Sequence, residues 1–178
     1  MPPCSPPLPL VVSVQQSQQS QQSPRGRAKA TEIHQMQRLE EWIGTRGFEL
    51  ECSPGAEDCV IFGSTRMVSI NSRQSRRSKI ATLLHECGHI LIYEARRRSK
   101  NPARPVAGAS FRDWETETRR YAPKSRSRKV AVLTEELEAW ERGWALGRRL
   151  RSGISKKYYD GIRIKAVMTY VRATSASP

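Results

Sequence analysis

The sequence predicts an α+β fold, in which a three-stranded antiparallel sheet packs with several helices in one small domain. The chain has 178 residues, enough for one domain with tails. Short apolar or alternating runs of strand length occupy residues 48–70. Longer stretches with apolar residues at helical spacing lie before and after them. A mean hydropathy of −0.64 and an aromatic content of 7% indicate a modest core.

The first 27 residues predict a disordered tail, because they are rich in Pro, Ser and Gln and residues 15–22 are of low complexity. The folded domain is therefore expected over residues 28–172. The apolar patch at residues 8–14 is short, contains Pro9 and follows no basic residues, so it makes a poor signal peptide. No run approaches the 18 apolar residues of a membrane span, so we expect no membrane partner.

The elements before the main motif are one helix and three strands. Residues 31–45 predict an amphipathic helix, and Gly47 shortly after it is the residue that stops the helix. Its inward positions are Ile33, Met36, Leu39 and Ile43. Strands are predicted at residues 48–52, 59–62 and 67–70, with a turn at Gly63 and Ser64 between the last two.

Residues 79–95 predict the next helix, with Ser78 as a plausible N-cap. An apolar stripe recurs with a period of 3.6 residues. Its members are Ile80, Leu83, Leu84, Cys87, Ile90 and Leu91. The stripe would pack on a core and leave the opposite face of the helix to line a cleft.

That opposite face carries the motif HExxH, as His85-Glu86-Cys87-Gly88-His89, which uses two of the three histidines in the chain. Side chains four residues apart lie on one face of a helix, so both imidazoles can hold one zinc ion, Zn2+. Glu86 lies about 100° round the helix, from where it can take a proton from a metal-activated water. Gly88 allows a close approach to this face. The plainer alternative is a pair of exposed histidines on an amphipathic helix.

A third ligand is expected from a second helix, at residues 130–151, because no histidine follows in residues 90–98. Thr134 reads as its N-cap, and Glu135, Glu136 and Glu138 fill its start. The same glutamates would also suit a solvated helix start, so the ligand stays open among the three. We expect Leu133, Leu137, Trp140, Trp144 and Leu150 to face inward. Residues 154–171 predict a closing helix.

At this point the chain resembles the ImmA/IrrE-type zinc metallopeptidases of bacteria and phages, a gluzincin-like family, and short phage-encoded members in particular. HECGH is followed by the pattern Glu-x-Glu-Ala-Trp, and the likeness extends over about residues 60–172. The resemblance implies a zincin-like fold that hydrolyses peptide bonds in a protein or peptide substrate. It implies the ligands His85, His89 and Glu136, with Glu86 as the catalytic residue. It also implies a cytoplasmic protein in a bacterial host.

The chain departs from this family at Trp140, where the pattern has Asp or Asn four residues after the ligand glutamate. An expected hydrogen-bonding partner of a ligand histidine is therefore missing. The departure therefore leaves an alternative function, that of a catalytically weak zinc-binding protein that acts as a recognition module.

A second departure is the basic insertion at residues 96–129, with 12 Lys or Arg against 3 acids in a chain of net charge +14. Such a segment can bind nucleic acid or an acidic partner, or can simply be a solvated loop. The candidate contacts are Arg96, Arg97, Arg98, Arg126, Arg128 and Lys129.

The cysteines favour a reducing compartment, because no CxxC pair occurs among Cys4, Cys52, Cys59 and Cys87. Cys52 and Cys59 flank a Ser-Pro-Gly turn, so a disulfide or a second metal site across a hairpin is the alternative. The sequence leaves the oligomeric state open.

Overall fold

The computed structural model describes residues 24–98 and 126–175, with side chains described for residues 34–98 and 129–172. The predicted α+β class is confirmed, with four helices and a three-stranded sheet in this part of the chain. The elements in chain order are α1 (Pro24–Gly44), β1 (Glu49–Ser53), β2 (Cys59–Ile61), β3 (Met67–Asn71), α2 (Arg76–Arg98), α3 (Arg126–Arg149) and α4 (Lys156–Ser175). Residues 1–23 of the predicted tail and residues 99–125 of the predicted insertion lie outside the described residues.

The sheet is mixed, so the prediction of an antiparallel sheet is wrong for one of its two pairings. β3 is the central strand, with β2 antiparallel on one side and β1 parallel on the other. The chain therefore crosses from β1 to the far edge of the sheet before it returns in β3. Asp58 stabilises this crossing, because its Oδ1 accepts a 2.8 Å hydrogen bond from the backbone N–H of Asn71. Alternating apolar residues identify strands but not their neighbours, which explains the error.

The alternative of a disulfide across a hairpin is also wrong, because Cys52 and Cys59 lie on opposite sides of β3. Cys52 is paired with Ile70, and Cys59 with Ser69. Two strand spacings separate them by about 9.5 Å, and a disulfide requires Cα atoms within about 7 Å. Neither is in a disulfide, and Cys52 is exposed whereas Cys59 is buried.

Helix α1 begins at Pro24, earlier than the predicted residue 31, and ends at Gly44. As predicted, the chain turns at Gly47, which has a φ of 72°. The Phe48 N–H then donates to the Ile43 carbonyl oxygen at 3.3 Å. The helix contributes Leu39 and Ile43 to the core and covers one side of α2 and β1.

Helix α2 lies at the centre of the fold, and its residues 80–88 are all buried. It begins at Arg76, so the predicted cap Ser78 is wrong. Ser75 takes that role, because its Oγ accepts a 3.2 Å hydrogen bond from the Ser78 N–H. The predicted apolar stripe is buried, except that Leu91 is half-buried.

Helix α3 begins at Arg126, so Thr134 does not cap it and the acidic residues do not lie in its first turn. The Thr134 hydroxyl instead donates to the Val130 carbonyl oxygen at 2.8 Å within the helix. Leu137 was predicted to face inward but is 37% exposed, whereas Ala139 and Leu146 are buried.

Helices α2 and α3 approach each other closely through glycine. A Cβ atom added at Gly88 would lie 2.0 Å from the Ala139 carbonyl oxygen, and one at Gly143 would lie 2.2 Å from that of Leu84. The expected close approach at Gly88 is therefore that of the neighbouring helix backbone. Helix α4 closes the fold, with its buried Tyr159 hydroxyl donating to the Trp140 carbonyl oxygen at 2.8 Å.

Candidate metal centre

The close contact between α2 and α3 brings together His85, His89 and Glu136. Their nitrogen and oxygen atoms lie within 4.8 Å of one another, and the three side chains could hold a metal ion. Glu136 is the glutamate that the family resemblance implied. Among the other two candidates, Glu138 pairs with Arg142 at 2.7 Å on the outer part of α3.

The distances in this group match those between ligands of a tetrahedral metal. The two Nε2 atoms of His85 and His89 are 3.3 Å apart. Glu136 Oε2 lies 3.2 Å from His85 Nε2, and its Oε1 lies 3.6 Å from His89 Nε2. Ligands at about 2.0–2.1 Å from a tetrahedral ion are separated by about 3.3 Å. The arrangement therefore leaves room for an ion between the three side chains.

Burial sets the protonation states that a metal centre requires. It lowers the pKa of His85 to about 3, although nearby Asp58 acts in the opposite direction. His85 is therefore neutral near pH 7, and the neutral imidazole is the form that binds metals.

Burial raises the pKa of Glu136, against the influence of His89 and of a hydrogen bond from Tyr170. Its buried Oε2 has no hydrogen-bond partner among the described residues. A buried carboxylate oxygen without a partner is costly, and a bound cation would compensate it.

Trp140, the residue that departs from the family pattern, packs directly on one histidine of the group. Its ring is stacked on that of His85, with centroids 4.2 Å apart and an interplanar angle of 17°. His85 Nδ1 is buried and has no hydrogen-bond partner among the described residues. The orientation of His85 is therefore fixed by packing against an aromatic face instead of by a carboxylate.

A second carboxylate, Glu135, lies on the other side of the group. Its Oε2 accepts a 2.8 Å hydrogen bond from Arg96, and its Oε1 lies 3.8 Å from His89 Nδ1. Burial raises the pKa of Glu135, but His89 and Arg96 outweigh that influence and hold the pKa below its ordinary value. Glu135 is thus an anion directed at a histidine of the group.

Glu86, the predicted catalytic residue, is only 4% exposed and lies on α2 beside His85. It is not a member of the group that could hold an ion. Its place in the sequence and its burial are compatible with a role beside the metal, which is the role predicted for it.

The residues predicted to contact an anionic partner lie in different environments. Arg96 is engaged in the centre itself. Arg97 lies over the Tyr93 ring at 5.7 Å, and Arg98 pairs with Glu94 at 3.1 Å. Lys129 is half-buried, and the side chains of Arg126 and Arg128 lie outside the described residues. The contacts of these residues with a partner stay a prediction.

The sequence patterns missed two residues of the centre, Arg96 and Tyr170. Arg96 was assigned to an anionic partner because it begins a run of three arginines. A signal was nevertheless present, since two adjacent glutamates that become buried need a cation. Tyr170 reaches Glu136 from α4, 34 positions along the chain, and no local pattern encodes such a contact.

Comparison of the chain with protein-family models, with curated proteins and with solved structures gives no match. Within residues 24–98 and 126–175, none of the helices has both the length and the apolar character needed to cross a bilayer.

Proposed function

We propose that the protein is a zinc-dependent metallopeptidase. The observation that carries this proposal is the approach of Glu136 to within 3.2 Å of His85 and 3.6 Å of His89, on the HExxH helix. Two imidazoles and one carboxylate form a donor set typical of catalytic zinc, which keeps its fourth position for water or substrate. The resemblance to the ImmA/IrrE-type metallopeptidases is consistent with the same ligands.

Each residue of the centre has one role in this proposal. His85, His89 and Glu136 hold the ion. When bound, zinc polarises a substrate carbonyl and lowers the pKa of a water molecule. Glu86 accepts the proton of the attacking water and delivers it to the leaving amine. Burial excludes bulk solvent from these side chains and strengthens the electrostatic interactions among them.

The metal content of purified protein tests the ligand set. We expect about one zinc per chain in the wild type, and none after His85→Ala or Glu136→Ala. Glu138→Ala is the matched control, because Glu138 lies on the same helix but pairs with Arg142. Retention of stoichiometric zinc by Glu136→Ala would reject the proposed ligand set.

Glu86→Gln tests the catalytic role separately from metal binding. The variant should keep its zinc and lose about 10²–10⁴-fold in peptide hydrolysis, the usual contribution of positioned proton transfer. The assay would follow cleavage of a mixed peptide library by mass spectrometry, with and without chelator. Chelator-insensitive cleavage, or equal cleavage by Glu86→Gln, would contradict a metallopeptidase.

A second candidate function is polyanion binding, favoured by a basic end of the helices away from the metal centre. The first turns of α2 and α4 and the last turn of α3 meet there, with Arg77 over the Tyr158 ring at 4.7 Å and Lys156 over the Trp144 ring at 5.5 Å. The exposed cations of this basic end are Arg76, Arg77, Arg148, Arg149, Arg151, Lys156 and Lys157. The one acid that pairs with them in the described part of the chain is Asp160, bound to Lys156. Such a surface matches a phosphate backbone.

A salt titration of binding to duplex DNA tests this second candidate. The triple change of Arg148, Arg149 and Arg151 to Gln should weaken binding and reduce the steepness of its dependence on salt. Changing Lys165 and Arg172 to Gln, two exposed cations further along α4, gives a control for net charge in which effects are compared per charge removed. Equal effects of the two sets would indicate that total charge, and not this surface, determines binding.

A further inference from the structure

We infer that Glu135 and Arg96 together position His89 as a metal ligand. The inference rests on the proposed metal centre. It assigns to Glu135 a role that the family pattern does not give it, since Glu135 precedes the residues that match.

The tautomer of a ligand histidine determines which ring nitrogen needs a partner in the protein. His89 and His85 face each other, and face Glu136, through Nε2. A neutral imidazole that binds metal through Nε2 carries its proton on Nδ1. That N–H group is a donor inside the protein, and it needs an acceptor to fix the plane of the ring.

Glu135 is the acceptor that faces this donor. His89 Nδ1 is buried and has no hydrogen-bond partner among the described residues, and Glu135 Oε1 lies 3.8 Å from it. This distance is longer than a hydrogen bond. At 3.8 Å the carboxylate still attracts the Nδ1–H group electrostatically, and this attraction favours the ring orientation that turns Nε2 toward His85 and Glu136.

Arg96 determines which of two adjacent glutamates becomes the ligand. Its guanidinium holds Glu135 Oε2 at 2.8 Å, at the end of α2. The ion pair holds the Glu135 carboxylate toward His89, so that it does not join Glu136 as a ligand. Glu136 has no comparable arginine in the described ion pairs, and its Oε2 is free to bind.

The two histidines are thus fixed by different means. His85 lies flat against Trp140, with centroids 4.2 Å apart, and its buried Nδ1 has no hydrogen-bond partner among the described residues. His89 lies near a carboxylate–arginine pair instead. A plain structural reading, in which Arg96 and Glu135 only tie α2 to α3, predicts an effect on stability alone. A positioning role predicts a change in metal affinity as well.

The test is a competition titration of zinc against a chromophoric chelator, with cobalt substitution as a spectroscopic measure of ligand geometry. Glu135→Ala should weaken zinc affinity by about 10–100-fold, the usual effect of removing such a partner. Glu135→Gln should lose less, because its amide oxygen still accepts a hydrogen bond. Arg96→Met keeps the aliphatic stem but frees the carboxylate, and should alter the visible absorption of bound cobalt.

Arg98→Met is the matched control. It removes the ion pair between Arg98 and Glu94, which lies within one helical turn of Arg96 but does not contact the metal centre. The inference would be overturned if Glu135→Gln, Glu135→Ala and Arg96→Met all kept the zinc affinity and the cobalt spectrum of the wild type. Complete zinc loss in both Glu135 variants would also overturn it, because Glu135 would then be a ligand. If Glu135→Ala does not fold, Glu135→Gln and Arg96→Met decide alone. Zinc retention by Glu136→Ala would instead reject the metal centre itself, which separates the two failures.

Discussion

The indole of Trp140 is stacked on the imidazole of His85, 4.2 Å between ring centroids and nearly parallel to it. Trp140 is 2% exposed, and its backbone carbonyl oxygen accepts the hydrogen bond of Tyr159 from α4. One residue therefore joins the candidate metal centre to the core and to the closing helix. A carboxylate would orient the His85 ring through a hydrogen bond. In this protein, contact with the Trp140 ring restricts the plane of the imidazole instead.

Truncation of Trp140 measures this contact. Trp140→Ala should reduce the free energy of unfolding by about 3–5 kcal/mol, because it removes a buried aromatic side chain and leaves a cavity. Trp140→Phe should lose less, because a phenyl ring still stacks on His85. Chemical unfolding in the presence of chelator isolates the packing contribution from that of bound metal. An Ala variant as stable as the wild type would mean that the stack does not support the fold.

The glycine contacts give a sharper prediction about the crossing of α2 and α3. Gly88→Ala places a Cβ 2.0 Å from the Ala139 carbonyl oxygen, so the two helices must move apart. We expect a loss of about 3 kcal/mol in unfolding free energy, at the upper end of overpacking effects. The separation should also carry Glu136 away from the histidines and weaken zinc binding.

Gly161→Ala is the control for this change. Gly161 lies in α4, where an added Cβ meets nothing within 4 Å. There alanine should stabilise the helix by up to about 1 kcal/mol, from its higher helix propensity. If both substitutions changed the free energy of unfolding in the same direction, the two helices would be less closely packed than the contact at Ala139 indicates.

Thiol labelling distinguishes the described cysteines by burial. Cys52 is exposed, although partial burial raises its pKa, so it should react slowly with a disulfide reagent and faster as the pH rises. Cys87 is buried, and burial, with nearby Glu86, raises its pKa strongly against the influence of Arg46. It should react only on unfolding. Peptide mapping of a Cys4→Ser variant would check both, and rapid native labelling of Cys87 would contradict the packing of α2.

The two histidines of the candidate site were predictable because their spacing is local in the sequence, whereas the order of the strands in the sheet is not local. The spacing of His85 and His89 determines a helix face by itself, and the family pattern then identified Glu136. The sheet order depends on a chain crossing that residues 54–58 arrange, and alternation in the strands contains no information about it.

The errors at helix ends have a common cause. Ser78 and Thr134 were chosen as caps because each precedes a recognisable pattern, but the helices begin earlier, at Arg76 and Arg126. Basic residues extend both helices beyond the periodic region, and periodicity marks only the part that packs. Leu137 was misplaced for a different reason: α3 turns Glu136 and Trp140 toward α2 and leaves Leu137 on the outer face.

The two helices of the candidate metal centre are joined by residues 99–125. Gly88 contacts Ala139, and Leu84 contacts Gly143, so α2 and α3 run antiparallel. Arg98 lies ten residues beyond Gly88, and Arg126 lies thirteen before Ala139, which offsets the facing ends by about 4.5 Å along the axes. Helix axes pack about 8–10 Å apart, so a linker of about 10 residues can join the ends.

Replacement of residues 99–125 by such a Gly/Ser linker should therefore preserve the fold and one zinc per chain, since the proposed ligands His85, His89 and Glu136 lie outside that segment. The replacement removes six Lys or Arg and three acids, so binding to duplex DNA should weaken and depend less steeply on salt. A full-length variant with the same six cations changed to Gln separates charge from length. Zinc content, unfolding and a salt titration would be measured on both. If the linker variant unfolded while the Gln variant did not, residues 99–125 would be part of the core, and their interpretation as a basic insertion beside the metal centre would be wrong.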